Sequence, residues 1–87
     1  MKTSVHEPLS SAQIRAARAL IRWSAEELAR ASAVGVTTVR RAELMPSTTT
    51  MTTANDHAIR RALEDAGVDF IDENGGGAGV RLRKPSC

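Results

Sequence analysis

Residues 24–44, SAEELARASAVGVTTVRRAEL, decide the fold of this chain. The segment opens with a capping box, in which Ser24 is followed three residues later by Glu27, a pattern typical of a helix start. Gly35 interrupts the apolar pattern, which resumes over residues 36–44. The segment therefore predicts two short helices joined by a turn of three or four residues, which is a helix-turn-helix unit.

The inner and outer faces of these two helices can be separated by their spacing. Arg40 and Arg41 fall on the outer face of the second helix. The side chains predicted to face the core are Leu28, Ala29, Val39 and Ala42.

Another helix precedes this unit and begins with a second capping box, Ser10 followed by Gln13. It is predicted to run to about Arg22, so the chain must change direction sharply at Trp23. Its predicted inward side chains are Ile14, Ala17, Leu20 and Ile21.

A fourth helix follows a loop of polar and β-branched residues, PSTTTMTT at 46–53. We expect Thr53 to cap this helix and Gly67 to stand at its C-terminal end. Its predicted apolar stripe consists of Ala54, Ala58, Ile59, Ala62, Leu63 and Ala66.

The last twenty residues change to a period of two, which predicts two short strands joined by a glycine-rich loop. The apolar positions of these strands are Val68, Phe70, Val80 and Leu82. The expected fold is mainly α, a four-helix domain with a helix-turn-helix and a C-terminal β-hairpin. Residues 1–8 are expected to form a flexible arm, 9–67 the helix-turn-helix domain and 68–87 the hairpin.

The composition indicates one small cytoplasmic domain. The chain has 87 residues, 41% of them hydrophobic, and its only Phe, Trp or Tyr residues are Trp23 and Phe70. Chains this short usually need a further source of stability. Because the single Cys87 cannot form an internal disulfide, we expect a homodimer. No apolar run resembles a signal peptide or a membrane span, and a lone thiol fits a reducing cytosol.

The net charge of +2 is unevenly distributed. Residues 9–43 carry six Arg against three Glu, whereas residues 54–73 carry two Arg against six acidic residues. A basic segment rich in Arg suits a polyanion such as DNA. A solvated surface on which charges cluster by chance is the alternative explanation.

The run from Trp23 to Val34, followed by Thr38 to Glu43, resembles the Xre/Cro family of lambdoid phage repressors and bacterial regulators. The resemblance covers roughly residues 10–66. It differs from the family pattern at Ala33, where the family has a turn glycine, and at the C-terminal hairpin, which replaces a fifth helix.

The resemblance implies a set of DNA contacts. Base contacts would come from the second helix of the unit, through Val36, Thr37, Arg40 and Arg41. Phosphate contacts would involve Ser24, the backbone N–H groups of Ala25 and Glu26, and Thr38, and we add Arg15 and Arg22 as expected phosphate contacts. The family also places a partly buried ion pair where Arg18 and Glu43 stand. Two unrelated surface charges are the alternative for that pair.

No enzymatic site is indicated. His6 and His57 are isolated from other metal ligands, the glycine-rich loop lacks the residues of a phosphate-binding loop, and Cys87 has no evident base. We therefore expect that the protein is not an enzyme and that it binds no cofactor and no metal ion.

The function predicted from the sequence is a DNA-binding transcriptional regulator, a repressor that acts as a homodimer. The dimer is expected to form through the hairpin residues Val68, Phe70, Val80 and Leu82. The alternative is an antitoxin or an adaptor that binds a protein partner and only secondarily binds DNA.

Overall fold

The computed structural model describes residues 8–45 and 51–83, which form four helices followed by one antiparallel hairpin. The elements are α1 (Ser11–Ile21), α2 (Ala25–Ser32), α3 (Val36–Leu44), α4 (Thr53–Asp65), β1 (Val68–Ile71) and β2 (Gly79–Leu82). The predicted mainly helical class and the C-terminal hairpin are confirmed. Residues 1–7 of the predicted arm, part of the predicted loop (46–50) and residues 84–87 lie outside the described residues.

Both predicted capping boxes are present. The Ser10 hydroxyl accepts a hydrogen bond from the backbone N–H of Gln13, and the Gln13 side chain accepts one from the backbone N–H of Ser10. Ser24 and Glu27 make the same reciprocal pair at the start of α2. Each box satisfies two backbone groups that a helix start leaves without intrahelical partners.

Two expectations for α4 and one for α1 are wrong. Thr52, not Thr53, caps α4, because its hydroxyl accepts the N–H of Asn55 while Thr53 already lies in the helix. Ala54 is exposed, since it lines an open cavity between α2 and α4 instead of the core. Leu20 is 38% exposed, because it lies to one side of the buried stripe of α1.

The core lies where all four helices and β1 meet. Its side chains come from segments far apart in sequence, so the hairpin and the helices form one packed unit. The Leu9 backbone N–H, just before α1, donates to the buried carboxylate of Asp56 on α4 at 2.9 Å. The fully buried large side chains are Leu9, Ile14, Leu28, Val39, Ile59, Leu63 and Val68.

The hairpin packs on α1 and α4 through its apolar face. Val68 pairs with Leu82 and Phe70 with Val80, so these four side chains share one face of the two-stranded sheet. On the other face, Asp69 binds Arg83 at 3.0 Å and lies 3.7 Å from Arg81. Acidic and basic side chains of the two strands therefore pair across this face of the hairpin.

Candidate nucleic-acid interface

The turn between α2 and α3 is fixed by local hydrogen bonds. The Ser32 hydroxyl donates to the Leu28 carbonyl at 2.7 Å and accepts the N–H of Val34 at 3.3 Å. Ala33 ends α2 in the left-handed region, with φ +60°. Gly35 then caps α3 without a side-chain hydrogen bond. These contacts allow α2 and α3 to be joined by only three residues, 33–35.

One face of α3 is exposed and carries both arginines of the helix. Thr37, Arg40, Arg41 and Leu44 are exposed, at the spacing of one helical stripe. Leu44 is 83% exposed, which is high for an apolar side chain. The opposite face is buried through Val39 and Ala42, as the sequence predicted.

Two of the predicted contact residues lie at the edge of this stripe. Val36 packs partly against the core, and Thr38 is half-buried. The structure therefore brings Thr37, Arg40 and Arg41 together on the exposed stripe, and leaves Val36 and Thr38 with less accessible surface.

The buried side of α3 is held by an ion pair with α1. Arg18 Nε and Nη2 donate to the two carboxylate oxygens of Glu43 at 2.6 Å and 2.8 Å, and Arg18 Nη1 donates to the Trp23 carbonyl at 2.8 Å. The hydrogen bonds to Glu43 raise the pKa of the Arg18 guanidinium, against the opposing effect of its partial burial. The ion pair expected from the resemblance is thus present, and its two-point geometry fixes α3 relative to α1.

Two further α1 side chains bind the C-terminal end of α3. Arg15 Nη1 donates to the Glu43 carbonyl at 2.6 Å, and the Ser11 hydroxyl donates to the Met45 carbonyl at 2.8 Å. These carbonyls belong to the helix end, which lacks intrahelical donors and favours positive charge. Arg15 was expected at a phosphate, and the structure gives one of its nitrogens an internal partner. The spacing of 11, 15 and 18 on one helical face was the available signal for this grouping.

The N-terminus of α2 lies beside the exposed stripe of α3. The Ser24 backbone N–H already donates to Glu27 Oε1 at 2.7 Å, and the Ser24 hydroxyl accepts the Glu27 N–H. Ser24 is therefore engaged within the capping box. Ala25 and Glu26 begin the helix, and Arg22 is exposed two residues before the cap.

Glu26 forms an ion pair with Arg40 across the two helices. The two side chains remain 54% and 55% exposed. The pKa of the Glu26 carboxyl is lowered, first by a hydrogen bond from its own backbone N–H and second by the charge of Arg40. The resemblance implies only a backbone contact for Glu26 and does not indicate this pair.

The predicted dimerisation residues differ in accessibility. Val68 is fully buried within the chain, so its assignment to a dimer interface is wrong: it has no surface to offer a partner. Phe70 and Val80 are partly buried against the core, and the Phe70 ring lies 4.9 Å from the guanidinium carbon of Arg60. Leu82, at 51% exposed, retains the most free apolar surface of the four.

A cavity of about 340 Å³ lies between α2 and α4, away from the exposed stripe of α3. Its lining includes Ala31, His57, Arg61 and Asp65. Among residues 8–45 and 51–83, no three His, Cys, Asp or Glu side chains lie close enough to hold a metal ion. In the same part of the chain, no helix has the length and apolar character needed to cross a membrane.

The chain matches no protein-family model and no curated protein sequence.

Proposed function

We propose that this protein is a sequence-specific regulator of transcription that inserts α3 into the major groove of double-stranded DNA. The observation that carries the proposal is the exposed stripe of α3, with Thr37, Arg40 and Arg41 on the side opposite to the Arg18–Glu43 pair. An arginine on a helix in the major groove can bind the O6 and N7 atoms of guanine with two hydrogen bonds. Because the ion pair fixes the buried side of α3, the helix can hold the side chains on its exposed side in one orientation toward DNA.

The N-terminus of α2 supports the same orientation. The N–H groups of its first turn and the exposed Arg22 lie at the start of α2, the helix that precedes α3. In the helix-turn-helix arrangement, the first helix crosses the DNA backbone while the second enters the groove. Phosphate contacts from Ala25, Glu26 and Arg22 would orient the protein, and α3 would supply the sequence preference.

We further propose that the protein acts as a homodimeric repressor. One short helix reads only a few base pairs, each worth about 1–3 kcal/mol, against about 10⁶ or more competing genomic sites. Two copies related by a two-fold axis would read two half-sites about one helical turn apart. The location that we propose for such a regulator is the cytoplasm.

Selection of bound fragments from a random duplex pool, at two salt concentrations, tests the proposal. We expect a palindromic consensus. Arg41→Ala should cost about 1–3 kcal/mol on the consensus duplex and relax the preference at one position. Arg61→Ala removes the same charge from the cavity between α2 and α4 and serves as the matched control. Absence of any enriched sequence would overturn the proposal and favour the antitoxin or adaptor alternative.

A further inference from the structure

The Glu26 carboxylate occupies a position between two groups of donors of the candidate interface. Its Oε2 atom accepts a hydrogen bond from Arg40 Nη2 on the exposed stripe of α3. The N-terminal first turn of α2, to which Glu26 belongs, supplies the other donors through its backbone N–H groups. Both side chains are about half exposed, so the pair lies on the surface that would face DNA.

A phosphate group of DNA would use the same donors. Phosphate and carboxylate oxygens both accept charge-assisted hydrogen bonds from a guanidinium, and both are favoured at a helix N-terminus. The Glu26 carboxylate therefore stands where a backbone phosphate would otherwise bind Arg40. A phosphate must displace this carboxylate to gain the same contact. The exchange contributes little free energy of binding, because the two anions are chemically similar.

A guanine edge offers Arg40 a different contact. Its O6 and N7 atoms accept two parallel hydrogen bonds from one guanidinium. An exposed ion pair such as Glu26–Arg40 is weak, since water and salt screen both charges. Either contact requires Arg40 to leave Glu26, so the ion pair opposes binding to a phosphate and to a guanine edge alike.

We propose that Glu26 is an autoinhibitory residue, which lowers the affinity for duplex DNA by competing with the DNA for Arg40. The inference rests on the proposed function and assigns to Glu26 a role beyond its backbone N–H. Glu27 supplies a matched comparison, because it is the adjacent residue with the same charge but binds Ser24 instead of an arginine.

The test compares the wild type, Glu26→Gln and Glu27→Gln on a random-sequence duplex and on the selected consensus duplex, by fluorescence anisotropy across a salt series. Each variant removes one negative charge, and Gln is compatible with the third helical position of a capping box. We expect Glu26→Gln to bind the random duplex about three- to fivefold more tightly than Glu27→Gln, as release of one exposed ion pair allows. Its plot of log affinity against log salt should be steeper by about 0.9.

On the consensus duplex Glu26→Gln should also bind more tightly than Glu27→Gln, by a similar factor, because Arg40 must leave Glu26 there as well. In an Arg40→Gln background, the difference between the two Glu variants on random DNA should disappear. Equal shifts of both variants on random DNA, or a difference that persists without Arg40, would overturn this inference alone. Absence of duplex binding by the wild type and all variants would overturn the proposed function as well.

Discussion

The side-chain amide of Gln13 donates a hydrogen bond to the carbonyl oxygen of Gly79 at 3.1 Å, and so joins the first turn of α1 to the start of β2. The same nitrogen lies 3.5 Å from the carbonyl of Ile71, at the end of β1. Gln13 is only 6% exposed, and its side-chain oxygen caps α1 by accepting the Ser10 N–H. One amide thus starts the first helix and fixes the loop end of the hairpin.

The two functions of Gln13 can be separated by Gln13→Glu. Glutamate retains the oxygen that accepts the Ser10 N–H, but an ionised carboxylate cannot donate to the carbonyls of Gly79 and Ile71. We expect a loss of about 1–3 kcal/mol in the free energy of unfolding at neutral pH, measured by urea denaturation. The reciprocal exchange, Glu27→Gln, sits at the same position of the exposed capping box of α2 and should change stability by less than about 0.5 kcal/mol. Equal effects of the two exchanges would show that the link to the hairpin contributes nothing.

The parts of the fold that could be predicted are those set by residues close together in the sequence. Both capping boxes, the glycine after α4 and the alternation in the hairpin depend on residues a few positions apart, and each predicted its element. The Thr52 cap was missed by one residue because a run of threonines offers several equivalent hydroxyls. The exposure of Ala54 depends on the space between α2 and α4, which no local pattern encodes.

The candidate site was less predictable because its contacts are long-range. The resemblance supplied the Arg18–Glu43 pair, whereas the spacing of residues 11, 15 and 18 indicated only a shared face of α1 and not that Arg15 binds a backbone carbonyl of α3. The Glu26–Arg40 pair depends on how α2 and α3 are oriented. The alternation of apolar residues in the strands correctly placed Val68 on the apolar face of the hairpin. It did not indicate that the protein's own core covers Val68.

The left-handed conformation of Ala33 predicts a stabilising substitution. A residue with a β-carbon is strained at φ +60°, whereas glycine adopts this conformation freely. Ala33→Gly should therefore raise the free energy of unfolding by about 0.5–1 kcal/mol, even though glycine also increases the entropy of the unfolded chain. Ala31→Gly, an exposed position within α2, makes the same change in the unfolded chain and should instead cost about 1 kcal/mol. Thermal and urea unfolding of both variants measure the difference, and a loss of stability in Ala33→Gly would contradict the expected strain.

The lowered pKa of Glu26 predicts a pH dependence of stability. The unfolded chain has the ordinary Glu value of about 4.3, and the folded pKa is lower, so the folded state binds fewer protons in this range. The stabilisation from the ionised carboxylate is present above the unfolded pKa and is lost as the pH falls through the folded pKa.

Arg40→Gln should raise the pKa of Glu26 without restoring it fully, because the hydrogen bond from its own backbone N–H is the larger cause. Titration of the Glu26 carboxyl by NMR, without DNA, measures the change. Arg41→Gln removes the same charge from the neighbouring residue and is the control. A pKa that responds equally to both substitutions would indicate a general charge effect instead of a specific Glu26–Arg40 pair.

The proposed homodimer can be tested at Leu82, which keeps half of its surface exposed on the hairpin. If the hairpin joins two copies, Leu82→Glu places a charge in each half of the interface and should weaken dimerisation by at least about tenfold in Kd. Its fold should persist, because the core residue on the paired strand, Val68, is unchanged. Leu44→Glu, at an exposed position on α3, is the matched control and should leave the dimer intact. Sedimentation equilibrium of the wild type and both variants distinguishes the outcomes. At about 20 µM a dimer with a Kd near 1 µM would predominate. A wild type that stays monomeric at that concentration would contradict the homodimer. Equal dissociation by both variants would assign the interface elsewhere.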